Sequence, residues 1–227
     1  MPAAAPSRQP GAPIRFSGPQ VQCLLAQERR WLANQLAARP ARPWLWLQPE
    51  ASPPVDWPAR HARGLRLHDC GHGYAGSLRC ALPLPLANEC LGDIVLQHPQ
   101  PARADALLEE CARVLVEGGR LWLFLLNPWS PYRLRVAGQL PAAAAGRWLP
   151  RLRAQGLQVD PPRYLGPRWT MAQGDGHVHD SPLPLRAACV VVAEKRGLAP
   201  VVPAPRAWRR GAAPRGTPIR GRAARGG

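Results

Sequence analysis

Long apolar runs are absent from this sequence of 227 residues, and none reaches the roughly 20 residues that a membrane-spanning helix needs. The first residues (MPAAAPSRQPGAPIRFSG) contain no apolar core of the kind that secretory signals carry. None of the six cysteines forms a Cys-x-x-Cys pair, which argues against a zinc ribbon or a thioredoxin-type site. These absences predict a cytoplasmic protein with reduced thiols, no membrane partner and no bound metal.

Lysine is also nearly absent, since Lys195 is the only lysine among 30 basic residues. Only 14 acidic residues oppose these charges, so the formal net charge is +16. From Lys195 to Gly227 there are eight arginines and no acidic residue. Such a segment attracts phosphate-rich polymers, which predicts a non-specific nucleic-acid contact. The plainer interpretation is a solvated segment with no specific partner.

Apolar residues make up 46% of the chain, which is enough for one domain with a hydrophobic core. The Pro- and Ala-rich start predicts a disordered leader over residues 1–19. The Arg-, Pro- and Gly-rich end predicts a disordered basic tail over residues 197–227, because it has too few apolar side chains to offset the entropy of ordering. We therefore expect the folded domain over residues 20–196.

Apolar periodicity predicts an alternation of strands and helices. Apolar side chains recur at helical spacing over residues 21–38 and again over residues 102–115. We expect Gly118-Gly119 to end the second of these helices as a C-cap turn. A further helix is predicted over residues 142–155, kinked or broken at Pro150. Strands are predicted at residues 44–47, 64–68, 77–80, 93–97, 120–126, 156–159 and 187–194. This alternation predicts an α/β fold with a doubly wound, mostly parallel sheet.

A family resemblance is carried by one continuous stretch, residues 84–130. Its motifs are Leu84-Pro85-Leu86, the strand near Asp93, Arg113-Val114-Leu115, the Glu117-Gly118-Gly119 turn with the strand that follows it, and Asn127-Pro128-Trp129-Ser130. The stretch resembles the methyltransferase type 11 group of class I S-adenosylmethionine-dependent methyltransferases, in a divergent bacterial subgroup. The resemblance implies a Rossmann-like, seven-stranded sheet with an antiparallel last strand. It also implies S-adenosylmethionine as cofactor and an unknown small-molecule or macromolecular methyl acceptor.

The resemblance also implies where the cofactor binds, because ligands of doubly wound sheets lie across the carboxyl ends of the strands. Asp69, after the second strand, takes the position of the acid that binds the ribose, and Cys80 takes the position of the acid that binds adenine. His98 is the candidate general base, since its pKa is usable near neutrality; the alternative is a partly exposed loop histidine. The remaining expected cofactor contacts are Gln48, Glu50, Leu84 and Gln97.

The first half of the expected cofactor site departs from the family pattern. The residues after the first strand, 48–54, read QPEASPP and contain no glycine, although the family places a glycine-rich turn there. Two interpretations stay open. The protein transfers methyl groups through a rebuilt pocket, or it is a catalytically inactive methyltransferase-like scaffold or binding protein. Asn127-Pro128-Trp129-Ser130 is open in the same way, either as part of a substrate edge or as a capping turn with a packed tryptophan.

Overall fold

The computed structural model describes residues 18–49, 63–134, 143–167 and 180–197. All of them belong to one compact unit, Met1–Gly197. Within these ranges the helices are α1 (Pro19–Ala37), α2 (Ala104–Val114) and α3 (Ala145–Ala154). The strands are β1 (Trp44–Gln48), β2 (Gly64–Asp69), β3 (Tyr74–Gly76), β4 (Leu91–Gln97), β5 (Leu115–Leu126), β6 (Leu157–Val159), β7 (Arg163–Leu165) and β8 (Ala188–Lys195). The leader, the tail beyond Gly197 and Glu50 lie outside the described residues.

The strands form one sheet in the order β3-β2-β1-β4-β5-β8-β6, with β7 also paired to β8. β2, β1, β4 and β5 are mutually parallel, whereas β8 is antiparallel to β5. β6 and β7 both pair antiparallel to β8 and are separated by Asp160-Pro161-Pro162, where proline has no N–H for the ladder. They therefore occupy one position at the edge of the sheet. The predicted α/β class, with a mostly parallel sheet and an antiparallel last strand, is confirmed.

Side chains alternate between two apolar layers, one on each face of the sheet. α1 covers one face, where Trp31 packs edge-on against Trp122 and Phe124 with ring centroids 6.0 and 6.1 Å apart. α2 and α3 cover the other face, and Leu108 and Trp148 are among their buried contacts. α3 continues through Pro150 to Ala154 rather than breaking there. None of the helices in the described ranges is both long enough and apolar enough to cross a membrane.

The third strand is shorter and earlier than predicted. It spans Tyr74–Gly76 and runs antiparallel to β2, whereas the predicted strand over residues 77–80 does not form. Only Cys80 of that stretch pairs, through an isolated bridge to Tyr74. Gly76 has φ +143°, a conformation that side-chain-bearing residues rarely adopt, and it ends the strand.

The Gly118-Gly119 pair does not cap α2, so that prediction is wrong. α2 ends at Val114, and Leu115 is already extended and paired with Leu91 of β4. The next pair between these strands is Asp93 with Arg120, so β5 carries extra residues in between as a bulge. Gly118 has φ +69°, which explains why glycine is needed there. The helix and strand therefore follow each other without a separate turn, and the glycines shape the strand.

Candidate functional site

The strand order reverses between β1 and β4, at the centre of the sheet. The chain proceeds from β1 to β2 on one side and from β4 to β5 on the other. In open α/β sheets the connections diverge at such a point and leave a crevice outside the carboxyl ends of the strands. The carboxyl ends here are Gln48, Asp69, Gln97 and Leu126. The candidate site is this edge.

Two of the predicted cofactor residues are neighbours at the crevice. Leu47 of β1 is in register with Leu96 of β4, so the next residues, Gln48 and Gln97, end adjacent strands side by side. Alternation along the strands places both glutamines on the face that α1 covers, because the two leucines belong to the opposite layer. Gln48 is 7% exposed and Gln97 is 4% exposed.

A buried carboxylate from α1 joins this pair. Glu28 Oε2 accepts a hydrogen bond from Gln97 Nε2 at 2.7 Å, and Glu28 Oε1 lies 2.9 Å from His98 Nε2. The side chains of Glu28 and His98 are both 0% exposed. Burial at low dielectric strengthens each of these contacts and also makes the carboxylate costly without them. The result is a compact polar cluster of Glu28, Gln97 and His98 within an otherwise apolar layer.

Glu28 is the residue that the sequence analysis missed. It lies four residues after Leu24 and three before Trp31, on the buried face of α1. A charged residue at an apolar position of a helical pattern was the signal that could have found it. Its partner remained hidden, because only the packing of α1 over β4 brings residues 28 and 98 together.

His98 adopts an unusual backbone conformation. Its φ is +48°, in the left-handed region, and its N–H donates to the carbonyl of Phe124 at 2.9 Å. A residue with a side chain adopts this conformation at a cost and keeps it only where surrounding contacts hold it. Here that ladder bond and the Glu28 contact hold His98. The structure therefore places the candidate base under the crevice, against α1, and not in an exposed loop.

Asp69 is the last residue of β2, at the same edge, and it already has internal partners. Its Oδ1 accepts from the N–H of Gly71 at 2.7 Å and lies 3.8 Å from Arg103 Nη1. Arg103 also donates to the carbonyl of Gly71, so it closes over the turn. Burial, followed by the charge of Asp69, raises the pKa of Tyr74 to about 12. The carboxylate at the end of β2 is thus an acceptor with one arginine beside it.

Leu84 and Cys80 contact the α2 side of the molecule. Leu84 N donates to Glu110 Oε2 at 2.8 Å, and its carbonyl accepts from Arg113 Nη2 at 3.0 Å. Arg113 also donates to the carbonyl of Leu86 at 2.8 Å. These bonds give a structural reason for the Leu-Pro and Arg-Val-Leu motifs, because the arginine ties one to the other. Cys80 is half-buried, and this burial raises the pKa of its thiol.

The Asn127-Pro128-Trp129-Ser130 segment forms a capping turn after β5. The Asn127 amide donates to the carbonyls of Pro184 and Arg186, both at 2.9 Å, and its oxygen accepts from Trp129 N at 3.1 Å. Trp129 itself is 78% exposed, so the turn forms without the packed tryptophan of the capping-turn alternative. The buried aromatic lies in the short helix that follows, Pro131–Leu134: it is Tyr132, whose hydroxyl donates to the carbonyl of Gln20 at 2.9 Å.

Metal-binding residue types do not converge in the described part of the chain. His68, Asp69, Cys70 and His72 lie close in sequence, yet no group of three His, Cys, Asp or Glu side chains among the described residues is arranged to hold a metal ion.

Comparison with known proteins finds likeness in structure but not in sequence. No family model matches the chain, and no curated protein matches it. Among solved structures, an S-adenosylmethionine-dependent methyltransferase from Archaeoglobus fulgidus is similar with a TM-score of 0.48 and 12% identity, over 76% of this chain and 99% of that one. An S-adenosylmethionine-dependent methyltransferase from Thermotoga maritima has a TM-score of 0.46 and 11% identity, over 77% of this chain and 97% of that one. A complex between the Haloferax volcanii activator Trm112 and a methyltransferase is similar with a TM-score of 0.45 and 13% identity, over 80% of this chain and 96% of that one.

Proposed function

We propose that this protein binds S-adenosylmethionine and transfers its methyl group to a small-molecule or macromolecular acceptor in the cytoplasm. The observation that carries the proposal is the strand order. The reversal between β1 and β4 leaves a ligand crevice, and β8 enters antiparallel beside β5. This is the arrangement that the methyltransferase resemblance of residues 84–130 implies. Polar side chains gather at the crevice, which supports a polar ligand there.

The residues at the edge fit the polar groups of this cofactor. Asp69 offers a carboxylate at the end of β2, where hydrogen bonds from two ribose hydroxyls would satisfy its oxygens. Gln48 and Gln97 offer amides at the ends of β1 and β4. When bound, S-adenosylmethionine supplies a methyl group activated by a sulfonium. The protein contributes mainly by holding the acceptor in line with that methyl group, which raises its effective concentration.

His98 is our proposed base for acceptors that lose a proton on methylation. Its Nε2 lies 2.9 Å from Glu28 Oε1, so a carboxylate stands beside the ring. A neutral imidazole accepts a proton near pH 7, and a carboxylate beside the ring stabilises the resulting cation. The cofactor would supply the methyl carbon to the acceptor's electron pair and keep the electrons of the carbon–sulfur bond on sulfur, and His98 would hold the acceptor's proton.

Calorimetric titration with S-adenosylhomocysteine tests the proposal. We expect binding by the purified protein, and binding at least about tenfold weaker in Asp69→Asn, because a hydrogen bond to a charged acceptor contributes about 1.5–3 kcal/mol. Asp105→Asn is the matched control, since Asp105 is exposed on α2 and pairs with Arg151 away from the crevice. Absence of binding at millimolar ligand would contradict the proposal.

The second candidate is a catalytically inactive, methyltransferase-like binding protein. Two observations favour it: residues 48–54, at and after the end of β1, contain no glycine, and Asp69 is already engaged by Gly71 and Arg103. This candidate predicts no methyl transfer from labelled S-adenosylmethionine to any fraction of a cell extract. Transfer that is lost in His98→Gln would reject it.

A further inference from the structure

Arg103 connects two parts of the sheet edge that lie on either side of β1. It is the last residue of a short 3₁₀ turn, Pro101–Arg103, which follows β4 and leads into α2. Its side chain reaches the turn after β2, where Nη2 donates to the carbonyl of Gly71 and Nη1 lies 3.8 Å from Asp69 Oδ1. In the sheet, β1 lies between β2 and β4. The contact therefore crosses from the β4 side to the β2 side of the edge.

The guanidinium stands beside the oxygen that a ribose would need. Asp69 Oδ1 already accepts from the N–H of Gly71 at 2.7 Å. A carboxylate oxygen has two lone-pair sites, so Oδ1 can accept one further hydrogen bond, and Arg103 is the cation next to it. Two ribose hydroxyls that donate to both oxygens of one carboxylate require this same site on Oδ1. The hydroxyl and the guanidinium therefore compete for it.

The contact is weak enough for a ligand to displace. The separation of 3.8 Å is longer than a hydrogen bond, and the side chains of Arg103 and Asp69 are 34% and 15% exposed. Ion pairs of this kind are screened by solvent and change an equilibrium constant by about fivefold or less. Asp69 is held by β2 and by the N–H of Gly71, so the long arginine side chain is the partner that moves.

We infer that Arg103 is an internal competitor that occupies Asp69 in the free protein and that the ribose hydroxyls of the ligand displace. The inference rests on the proposed function, in which Asp69 accepts hydrogen bonds from the ribose. The affinity of the ligand is then reduced by the fraction of molecules in which the arginine occupies the carboxylate. The engagement of Asp69 in the structure thereby becomes compatible with ligand binding at the same residue.

Calorimetric titration of S-adenosylhomocysteine into Arg103→Gln tests the inference. Glutamine keeps a polar side chain and removes the cation. At low salt we expect this variant to bind about two- to fivefold more tightly than the wild type, because the competing ion pair is lost. Arg120→Gln is the matched control and should bind like the wild type. Arg120 is 35% exposed and pairs with Glu194 at 3.2 Å, and it lies beside Asp93 near the amino end of β4, away from the crevice.

Two further measurements show whether the gain depends on Asp69. In the Asp69→Asn background the ion pair is already absent, so adding Arg103→Gln should give no further gain in affinity. Raising the salt concentration should tighten binding by the wild type, because salt screens the competing pair. The same change in salt should leave the affinity of Arg103→Gln unaltered.

The outcomes separate the inference from the proposed function. Binding by Arg103→Gln that is equal to that of the wild type, or weaker, overturns the inference and leaves the proposed function intact. A gain that persists in the Asp69→Asn background overturns it as well, since the arginine would then act at another place. Absence of binding by both the wild type and Arg103→Gln at millimolar ligand contradicts the proposed function, and the inference falls with it.

Discussion

Lys195, the only lysine in the sequence, has three hydrogen-bond acceptors around its ammonium. Its Nζ donates to Glu89 Oε1 at 3.0 Å and to the carbonyls of Ala112 and Leu115, both at 2.9 Å. The two carbonyls lie at the end of α2, where helix carbonyls have no partner within the helix. An ammonium has three hydrogens around one nitrogen, which matches three acceptors around a point. A guanidinium is planar and larger, and cannot reproduce this arrangement.

We therefore predict that Lys195→Arg destabilises the protein although the charge is kept. The expected loss in the free energy of unfolding is about 1–2 kcal/mol, the range for a lost hydrogen bond to a charged group. Urea denaturation measures it. The reverse change at the adjacent position, Arg196→Lys, is the control, because Arg196 is exposed and, among the described residues, forms its ion pair with Glu194 at 3.3 Å. Equal effects of the two substitutions would refute the geometric argument.

The Glu110–Arg113 pair predicts a dependence of stability on pH. Hydrogen bonds from the guanidinium of Arg113, and a smaller effect from the N–H of Leu84, hold the pKa of Glu110 below its ordinary value of 4.5. Because the folded-state pKa is lowered, the stabilisation is present above the unfolded value and is lost as pH falls through the folded one. We expect Glu110→Gln to lower the urea midpoint at pH 7. The difference in urea midpoint between this variant and the wild type should shrink below about pH 4, because the wild-type carboxyl becomes protonated and neutral there.

The exposed neighbour Glu109 provides the comparison for this measurement. Glu109→Gln should leave the urea midpoint close to that of the wild type from pH 3 to pH 7. If the urea midpoint of Glu110→Gln were below that of the wild type by the same amount at every pH, the charge of the carboxylate would not explain the lost stability.

At the scale of elements, a glycine in the bulge of β5 and a glycine at the start of α3 should respond in opposite ways to replacement by alanine. Gly118 has φ +69°, and among the described atoms Arg42 Nη1, at 3.9 Å, is the one near the position of an added Cβ. Gly146 lies in α3, where no atom of the described residues is within 4 Å of that position. Gly118→Ala should lower the free energy of unfolding by about 1 kcal/mol through backbone strain alone. Gly146→Ala should raise it by up to about 1 kcal/mol, because alanine favours the helix. Thermal unfolding of both variants tests the opposite signs.

Polar contacts from α1, and from Arg39 just beyond its end, reach both ends of β4. At the amino end, Arg39 Nε lies 3.2 Å from Asp93 Oδ1, and Trp122 Nε1 donates to the same oxygen at 3.3 Å. At the carboxyl end, Glu28 binds Gln97 and His98 as described. The apolar layer between them provides attraction without direction, whereas these two clusters specify one axial position of the helix. The axial position of α1 therefore determines where Glu28 meets Gln97 and His98 at the carboxyl end of β4.

At the scale of the molecule, sequence patterns predicted what depends on local periodicity. β4, α2, β5 and β8 were found because each repeats a buried face or run over seven residues or more. β3 and β7, at three residues each, exist only through their pairing with β2 and β8, and local signals for such short strands are weak. For the candidate site, too, the local pattern predicted some features, whereas others depend on distant packing. The pattern placed Gln97 and His98 at a strand end, but their burial against Glu28 depends on how a distant helix packs.

The charge of the whole molecule leads to the last prediction. Seven of the arginines lie beyond Gly197, with no acidic residue among them. If they contact phosphates, deleting residues 198–227 should weaken retention on single-stranded RNA at low salt. It should also reduce the slope of log affinity against log salt concentration by up to about 5, at about 0.7 per phosphate contact. Replacing the seven arginines with glutamine keeps the length and should give the same loss, which separates charge from chain length. Retention and salt slope that match the full chain would leave the tail without a role in nucleic-acid binding.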